Sequence, residues 1–295
     1  MNIFLSQQST TEELIHKAGL SEVSSSRKST LYRSGFPVHK IVSEHIDLPM
    51  SVKLKLEDEY RSLVGSLNWL TTRTRPDIAT ITNMLSAYLH NATHSHLLVA
   101  KNDIKYLTGT SDCGICFSTK HKKSLEAFVK FPIEPSKIVG FSDANWGPQD
   151  ASLPKPNVPE VLLDLFKSRS LSGYLLWLGG PLHWSSKRQT ITARSSAEAE
   201  IYATDECYKV IQHVNNIISD LKVLDLLIQK PVKIFNDNEA AVKWSRNLTT
   251  KGLRHLQMSH IMVLHISGAL NSSYMFTKED KYAERFLTCR ETVMI

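Results

Sequence analysis

A chain of 295 residues with 42% hydrophobic and 22% charged side chains has the composition of a folded protein of one large domain or two ordinary ones, which disfavours disorder. Its net charge of +6 permits nucleic-acid binding without demanding it. No apolar stretch approaches the roughly 18–20 residues that span a bilayer, and the start MNIFLSQQSTTEELIHKAG has no basic flank leading into an apolar core. An intracellular protein, cytoplasmic or nuclear, with no membrane partner is therefore expected.

Residues 57–71 and 76–90 carry apolar positions at three- and four-residue steps, and Pro76 stands where a helix can begin. A third helix is expected over 94–107, before Gly109. Cys113-Gly-Ile-Cys116 has the spacing of a metal knuckle, but neither Cys207 nor Cys289 supplies a second pair, so buried thiols rather than zinc are expected. Residues 118–136, with two prolines and a His-Lys-Lys run, read as a linker. Beyond it the pattern changes. Strands are expected at 137–143, 171–178 and 181–189, with Gly179-Gly180-Pro181 turning between the last two and a proline-rich insertion at 148–159. A helix over about 195–221, a strand at 231–236, a short helix at 238–247, a basic loop, a strand at 260–267 and a helix at 280–293 follow. This order predicts an α/β unit over 137–295, a mixed sheet flanked by helices, preceded by a mostly helical segment over 1–117.

Three carboxylates stand out. Asp143 closes the first strand run on the face of Val139 and Phe141. In the long helix Glu200, Ala203, Cys207, Val210, Val214, Ile217 and Leu221 step by three and four, so Glu200 points toward the sheet. Glu198 falls on the wet face, and Ser195-x-x-Glu198 forms a capping box in which Glu198 reaches back to the cap amide. Asp237 follows the β-type run Val232–Phe235. It is itself a candidate cap for the next helix, but Asn238 can serve and leave Asp237 free. Magnesium prefers hard oxygen donors, and two such ions supply a deprotonated water and charge relief to phosphodiester hydrolysis. Two Mg²⁺ ions, with Mn²⁺ as the alternative, are the expected cofactor, held by Asp143, Glu200 and Asp237.

The segments KIVGFSDAN (137–145), SSAEAEIYA (195–203) and VKIFNDNEAAV (232–242), with IFLSQ (3–7), YRSLVGSLNWL (60–70), TRPDIA (74–79) and KYLTGTSDCGI (105–115) before them, resemble copia-type LTR retrotransposon polyproteins. The resemblance covers the tail of the reverse transcriptase and the ribonuclease H domain. It implies a ribonuclease H-like fold over 137–295, a place in a larger polyprotein, and cleavage of the RNA strand of RNA–DNA hybrids by Asp143, Glu200 and Asp237. It further implies a part for His255 in phosphate positioning or product release. Hybrid contacts are expected from Lys187, Arg188, Gln189 and Arg194, and from Lys251 and Arg254 in a stretch free of acids that also holds Lys243 and Arg246. Trp146 and Trp184 are expected to pack rather than stack on sugars. No Tyr-x-Asp-Asp is present, so polymerase activity is not expected.

Two departures from the family's pattern count against activity. Tyr274, in NSSYMFTKED, stands where the family places a fourth aspartate, and a neutral phenol does not chelate Mg²⁺. Between Arg254-His255 and the last strand about a dozen residues are missing against the usual length of a helix crossover. The expectation is a copy with impaired cleavage, or a dead remnant that at most binds nucleic acid.

Overall fold

The computed structural model describes residues 2–21, 49–90, 92–118, 137–146, 169–221, 231–246, 261–278 and 283–294. Nearly all of the expected linker, the proline-rich insertion and the basic loop with Lys251, Arg254, His255 and the shortened connection lie outside the described residues.

Two short strands, β1 (Asn2–Leu5) and β2 (Ile115–Ser118), pair antiparallel, with buried Cys116 opposite Phe4. The main sheet holds β3 (Val139–Asn145), β4 (Leu171–Trp177), β5 (Pro181–Arg188), β6 (Val232–Asn236) and β7 (Ile261–His265), in the order β5-β4-β3-β6-β7. Strands β3, β4 and β5 run as an antiparallel meander, while β6 joins β3 and β7 joins β6 in parallel. The sheet is mixed, as the element order predicts. Gly179, at φ 65°, turns the β4–β5 hairpin in a conformation that other residues rarely adopt.

Seven α-helices accompany these strands among the described residues: α1 (Gln8–Lys17), α2 (Met50–Thr71), α3 (Ala79–Ser86), α4 (His94–Thr108), α5 (Ser196–Asp220), α6 (Glu239–Arg246) and α7 (Ala283–Val293). Helix α5 packs Cys207, Tyr208 and Ile211 on one sheet face, against Tyr174, Leu176, Val232 and Ile234. The other face presents Val139, Phe141, Leu175, Trp177 and Phe235 to a larger cluster with Leu63, Leu67, Leu70, Leu85, Ile104 and Leu107 of the N-terminal helices and with Phe286 and Cys289 of α7. The helical segment is thus the cover of that second face. Each such buried side chain contributes about 1.5–3 kcal/mol relative to exposure. Trp184 donates its ring N–H to Thr71 O (2.8 Å), which makes it a packing residue, and Thr80 Oγ1 donates to Met275 O (2.6 Å) across the same junction.

The upstream motifs meet in one buried network. Arg75, from TRPDIA, is 1% exposed and grips Asp77 through Nε (3.0 Å) and Nη2 (2.7 Å), while its Nη1 donates to Thr110 O (2.8 Å). Tyr106, from KYLTGT, donates its hydroxyl to Asp77 Oδ2 (2.7 Å), and Arg290 of α7 donates to that hydroxyl (3.2 Å).

Some boundaries differ from expectation. Pro76 opens a 3-10 turn (Pro76–Ile78) and α3 ends at Ser86, not residue 90. Helix α2 starts at Met50, and its first turns carry exposed Met50, Val52 and Leu54 outside the apolar period. On α5 the expected stripe leaves the core, with Ile217 45% and Leu221 63% exposed. Seven-residue steps drift around a 3.6-residue helix, and α5 outruns the sheet beneath it.

Candidate metal centre

Asp143 sits two residues inside the end of β3, opposite Gly173, rather than at the strand's end as expected, because β3 continues to Asn145 paired with Leu171. It is 1% exposed. A Cβ on Gly173 would stand 2.7 Å from Phe276 Cβ and 2.5 Å from Thr277 Cγ2. That bare position lets the 3-10 turn Ser272–Phe276 lie on the sheet beside Asp143. Glu200 enters from the first turns of α5 and is 6% exposed, and Asp237 follows the last residue of β6. One carboxylate oxygen from each of Asp143, Glu200 and Asp237 lies within 4.8 Å of the others.

Burial pushes the Glu200 carboxyl well above the ordinary range, and the Asp143 charge pushes it further, while Asn236 and the Ala144 amide hold it back. Burial raises Asp143 as well, countered first by the Lys278 ammonium. Hard oxygen donors that are buried and mutually repelling fit a divalent cation, whose charge relieves both penalties.

Neighbouring side chains fix the trio. Asn236 donates to Glu200 Oε2 (2.9 Å) and Ser142 Oγ (3.1 Å), and Ser142 Oγ meets Thr204 Oγ1 at 2.9 Å. Sequence reasoning missed Asn236. The signal was an amide at the inward position of the alternation Val232, Ile234, Asn236, all of them buried. Helix α6 is capped by Asn238, whose Oδ1 accepts from the Ala241 amide (3.0 Å), leaving Asp237 for the centre. At α5, Ser195 Oγ accepts from the Glu198 amide (3.1 Å), but Glu198 Oε2 accepts from the Arg194 amide (2.6 Å), one residue before the cap amide expected. The extended backbone at Ser195 turns the preceding N–H toward the helix end.

The closing turn brings two residues to Asp143. Thr277 Oγ1 hydrogen-bonds Asp143 Oδ2, and Lys278 Nζ lies 3.5 Å from the same oxygen while donating to Ala144 O (2.7 Å). The Tyr274 carbonyl accepts from Thr277 Oγ1 (3.3 Å), so residue 274 reaches the Asp143 side through its backbone. Its ring lies under the Arg285 guanidinium, 3.5 Å from carbon to centroid.

Of the residues expected at the substrate face, Lys187 and Arg194 are exposed and Arg188 is half-buried. Gln189 is not at the surface. It is 2% exposed and donates to Ser172 Oγ (2.9 Å) and Ala199 O (2.8 Å), tying β4 to the start of α5, because β5 ends at Arg188 and the chain turns inward there. Lys243 pairs with Glu239 (3.2 Å) on the surface of α6. Trp146 is 49% exposed, with its ring N–H donated to Ala193 O (3.0 Å).

Compared with curated proteins, 223 residues of the chain are 31% identical to the Retrovirus-related Pol polyprotein from transposon RE1 of Arabidopsis thaliana, covering 75% of this chain and 13% of that protein. Among its homologues are retrovirus-related Pol polyproteins of plant transposons. The corresponding polyprotein from transposon TNT 1-94 of Nicotiana tabacum is 28% identical over 251 residues, 79% of this chain and 16% of the polyprotein. The chain therefore spans about one-seventh of these Pol relatives' length. A 148-residue stretch, half of the chain, is also 32% identical to Secreted RxLR effector protein 161 of Plasmopara viticola, 84% of which is covered. No family model and no solved structure matches. Among the described residues no helix is long and apolar enough to cross a membrane.

Proposed function

We propose that the Pol-related chain is a divalent-metal-dependent ribonuclease H that cuts the RNA strand of RNA–DNA hybrids, carried with the tail of a reverse transcriptase as part of a longer polyprotein. The observation that carries the reading is the meeting of Asp143, Glu200 and Asp237 within 4.8 Å at the C-terminal ends of the neighbouring inner strands β3 and β6 of a five-stranded sheet of order β5-β4-β3-β6-β7. A bound divalent ion supplies a water deprotonated near neutral pH and relieves charge on the scissile phosphate. The trio would hold it. Asn236 and the Ala144 amide orient Glu200, and Thr277 orients Asp143. Exposed Arg194 stands just before α5 and exposed Lys187 acts on Glu206 further along it, where both can meet backbone phosphates, while discrimination of RNA from DNA rests on the 2′-hydroxyls.

The test is Mg²⁺-dependent cleavage of a hybrid labelled on its RNA strand, expected to be weak and abolished by Asp143→Asn. A second reading, a remnant that binds hybrids without cutting them, is favoured by the Tyr274–Arg285 stack at the position of the missing carboxylate. Retained hybrid binding with no RNA product at high protein and Mg²⁺ or Mn²⁺ would decide for it. In either case a cytoplasmic or nuclear site of action fits a nucleic-acid ligand.

A further inference from the structure

The carboxylate trio is bracketed by two cations that belong to the chain itself. At the Asp143 end, Lys278 Nζ lies 3.5 Å from Asp143 Oδ2 and is anchored by its 2.7 Å bond to Ala144 O, while Thr277 engages the same carboxylate oxygen. At the Asp237 end, a Cβ built on Gly268 would stand 2.7 Å from Asp237 Oδ2 and 3.4 Å from Arg285 Nη2, so carboxylate and guanidinium flank one glycine. Arg285 is held there by the Tyr274 ring, and its buried Nε has no acceptor among the described residues.

Charge then limits occupancy. Four carboxylates balance two divalent ions. Three carboxylates with two fixed cations beside them carry a net charge of about −1, which one divalent ion already overcompensates. A second ion would enter an environment already positive, next to an ammonium that shares its donor.

We infer that Lys278 stands in place of a second metal ion and that the centre takes one Mg²⁺ or Mn²⁺ per chain, not the two expected from the sequence. The inference rests on the trio being a metal centre. Lys278 is a positioning residue: its ammonium holds Asp143 and excludes the second ion without moving protons.

The experiment is Mn²⁺ titration of the full chain, read by calorimetry and by the paramagnetic resonance of free Mn²⁺, with no nuclease assay involved. One ion per wild-type chain is expected. Lys278→Gln keeps a donor for Ala144 O but drops the charge, and should bind a second ion or tighten the first at least tenfold; Lys278→Arg should stay at one. Two ions bound by the wild type would overturn the inference and leave the metal centre standing. A Lys278→Gln titration matching wild type, in protein with an unchanged unfolding curve, would also overturn it. Should Lys278→Gln not fold, Lys278→Met read against Lys278→Arg gives the same contrast. No ion bound by wild type or variant would remove the inference and the metal reading together.

Discussion

The Arg285 guanidinium lies 3.5 Å over the ring of Tyr274, so the side chain expected from the sequence at the place of a fourth carboxylate is engaged with a cation. Tyr274→Asp alone would place its new charge beside Arg285, and the two would pair. A gain in Mg²⁺ affinity of only a few-fold is expected from it. Adding Arg285→Gln should release the new carboxylate and raise affinity at least tenfold over wild type, about 1.4 kcal/mol. Calorimetric titration of the three proteins checks this, and equal gains from the single and double variants would contradict it.

The two glutamates of α5 should separate cleanly. Glu200 is buried in the trio, whereas Glu198 is half-buried and bonded to the Arg194 amide at the helix start. Glu200→Gln should abolish both hybrid cleavage and Mg²⁺-induced thermal stabilisation. Glu198→Gln should keep both and lower stability by about 0.5–1 kcal/mol as the cap weakens. Melting curves with and without Mg²⁺, beside the cleavage assay, measure the contrast.

Much of this centre is legible in the amino-acid sequence, for identifiable reasons. Asp143, Glu200 and Asp237 each lie at a place where a period of two or of 3.6 residues reaches its end, and periodicity is what a sequence displays. By residue type Asp237 and Asn238 are both candidate caps of α6, and it is the Ala241 amide bonded to Asn238 that decides between them. Asn236 has a local sign in its inward place in the β6 alternation, but Thr277 and Lys278 act through contacts between residues far apart in the chain, such as the 134 positions between Thr277 and Asp143, and no local pattern encodes these. The same limit applies to Gln189, whose polarity suggests a surface role although the turn after β5 places it inside. The N-terminal motifs are legible as helices but not as the cover of the second sheet face, because an apolar stripe shows what a helix buries and not against what.

Acidic groups raised by burial give a pH dependence of definite sign. Glu200 is raised from 4.5 to about 9, and Asp143 from 3.8 to about 6. Each therefore binds its proton more tightly folded than unfolded. Their stabilising contribution is complete below the unfolded values near 4 and is lost as pH rises through the folded values. In the absence of divalent metal the melting temperature should fall from about pH 5 to about pH 9. Glu200→Gln should flatten the upper part of that fall and exceed wild type near pH 8 by about 1–3 kcal/mol. A metal-free wild type that gains stability with pH across this window would contradict the raised carboxyls.

The buried Arg75–Asp77 pair joins the two halves of the chain's sequence signature, since Tyr106 and Thr110 close it from the α4 side and Arg290 reaches Tyr106 from α7. Removing one member strands a charge in the interior. Asp77→Ala leaves Arg75, 1% exposed, with only the Thr110 oxygens as acceptors among the described residues, and should cost about 3–5 kcal/mol. Losing the 3.2 Å bond from Arg290 to the neutral Tyr106 hydroxyl in Arg290→Ala should cost less, about 0.5–1.5 kcal/mol. Because the helices around Arg75 cover the sheet face that carries Phe141, two residues before Asp143, Asp77→Ala should also weaken Mg²⁺ binding at temperatures below its own melting point. Urea unfolding of both variants, with Mg²⁺ titrations on the folded baseline, measures the two effects. Unaltered Mg²⁺ affinity in a destabilised Asp77→Ala would show that the cover contributes stability alone.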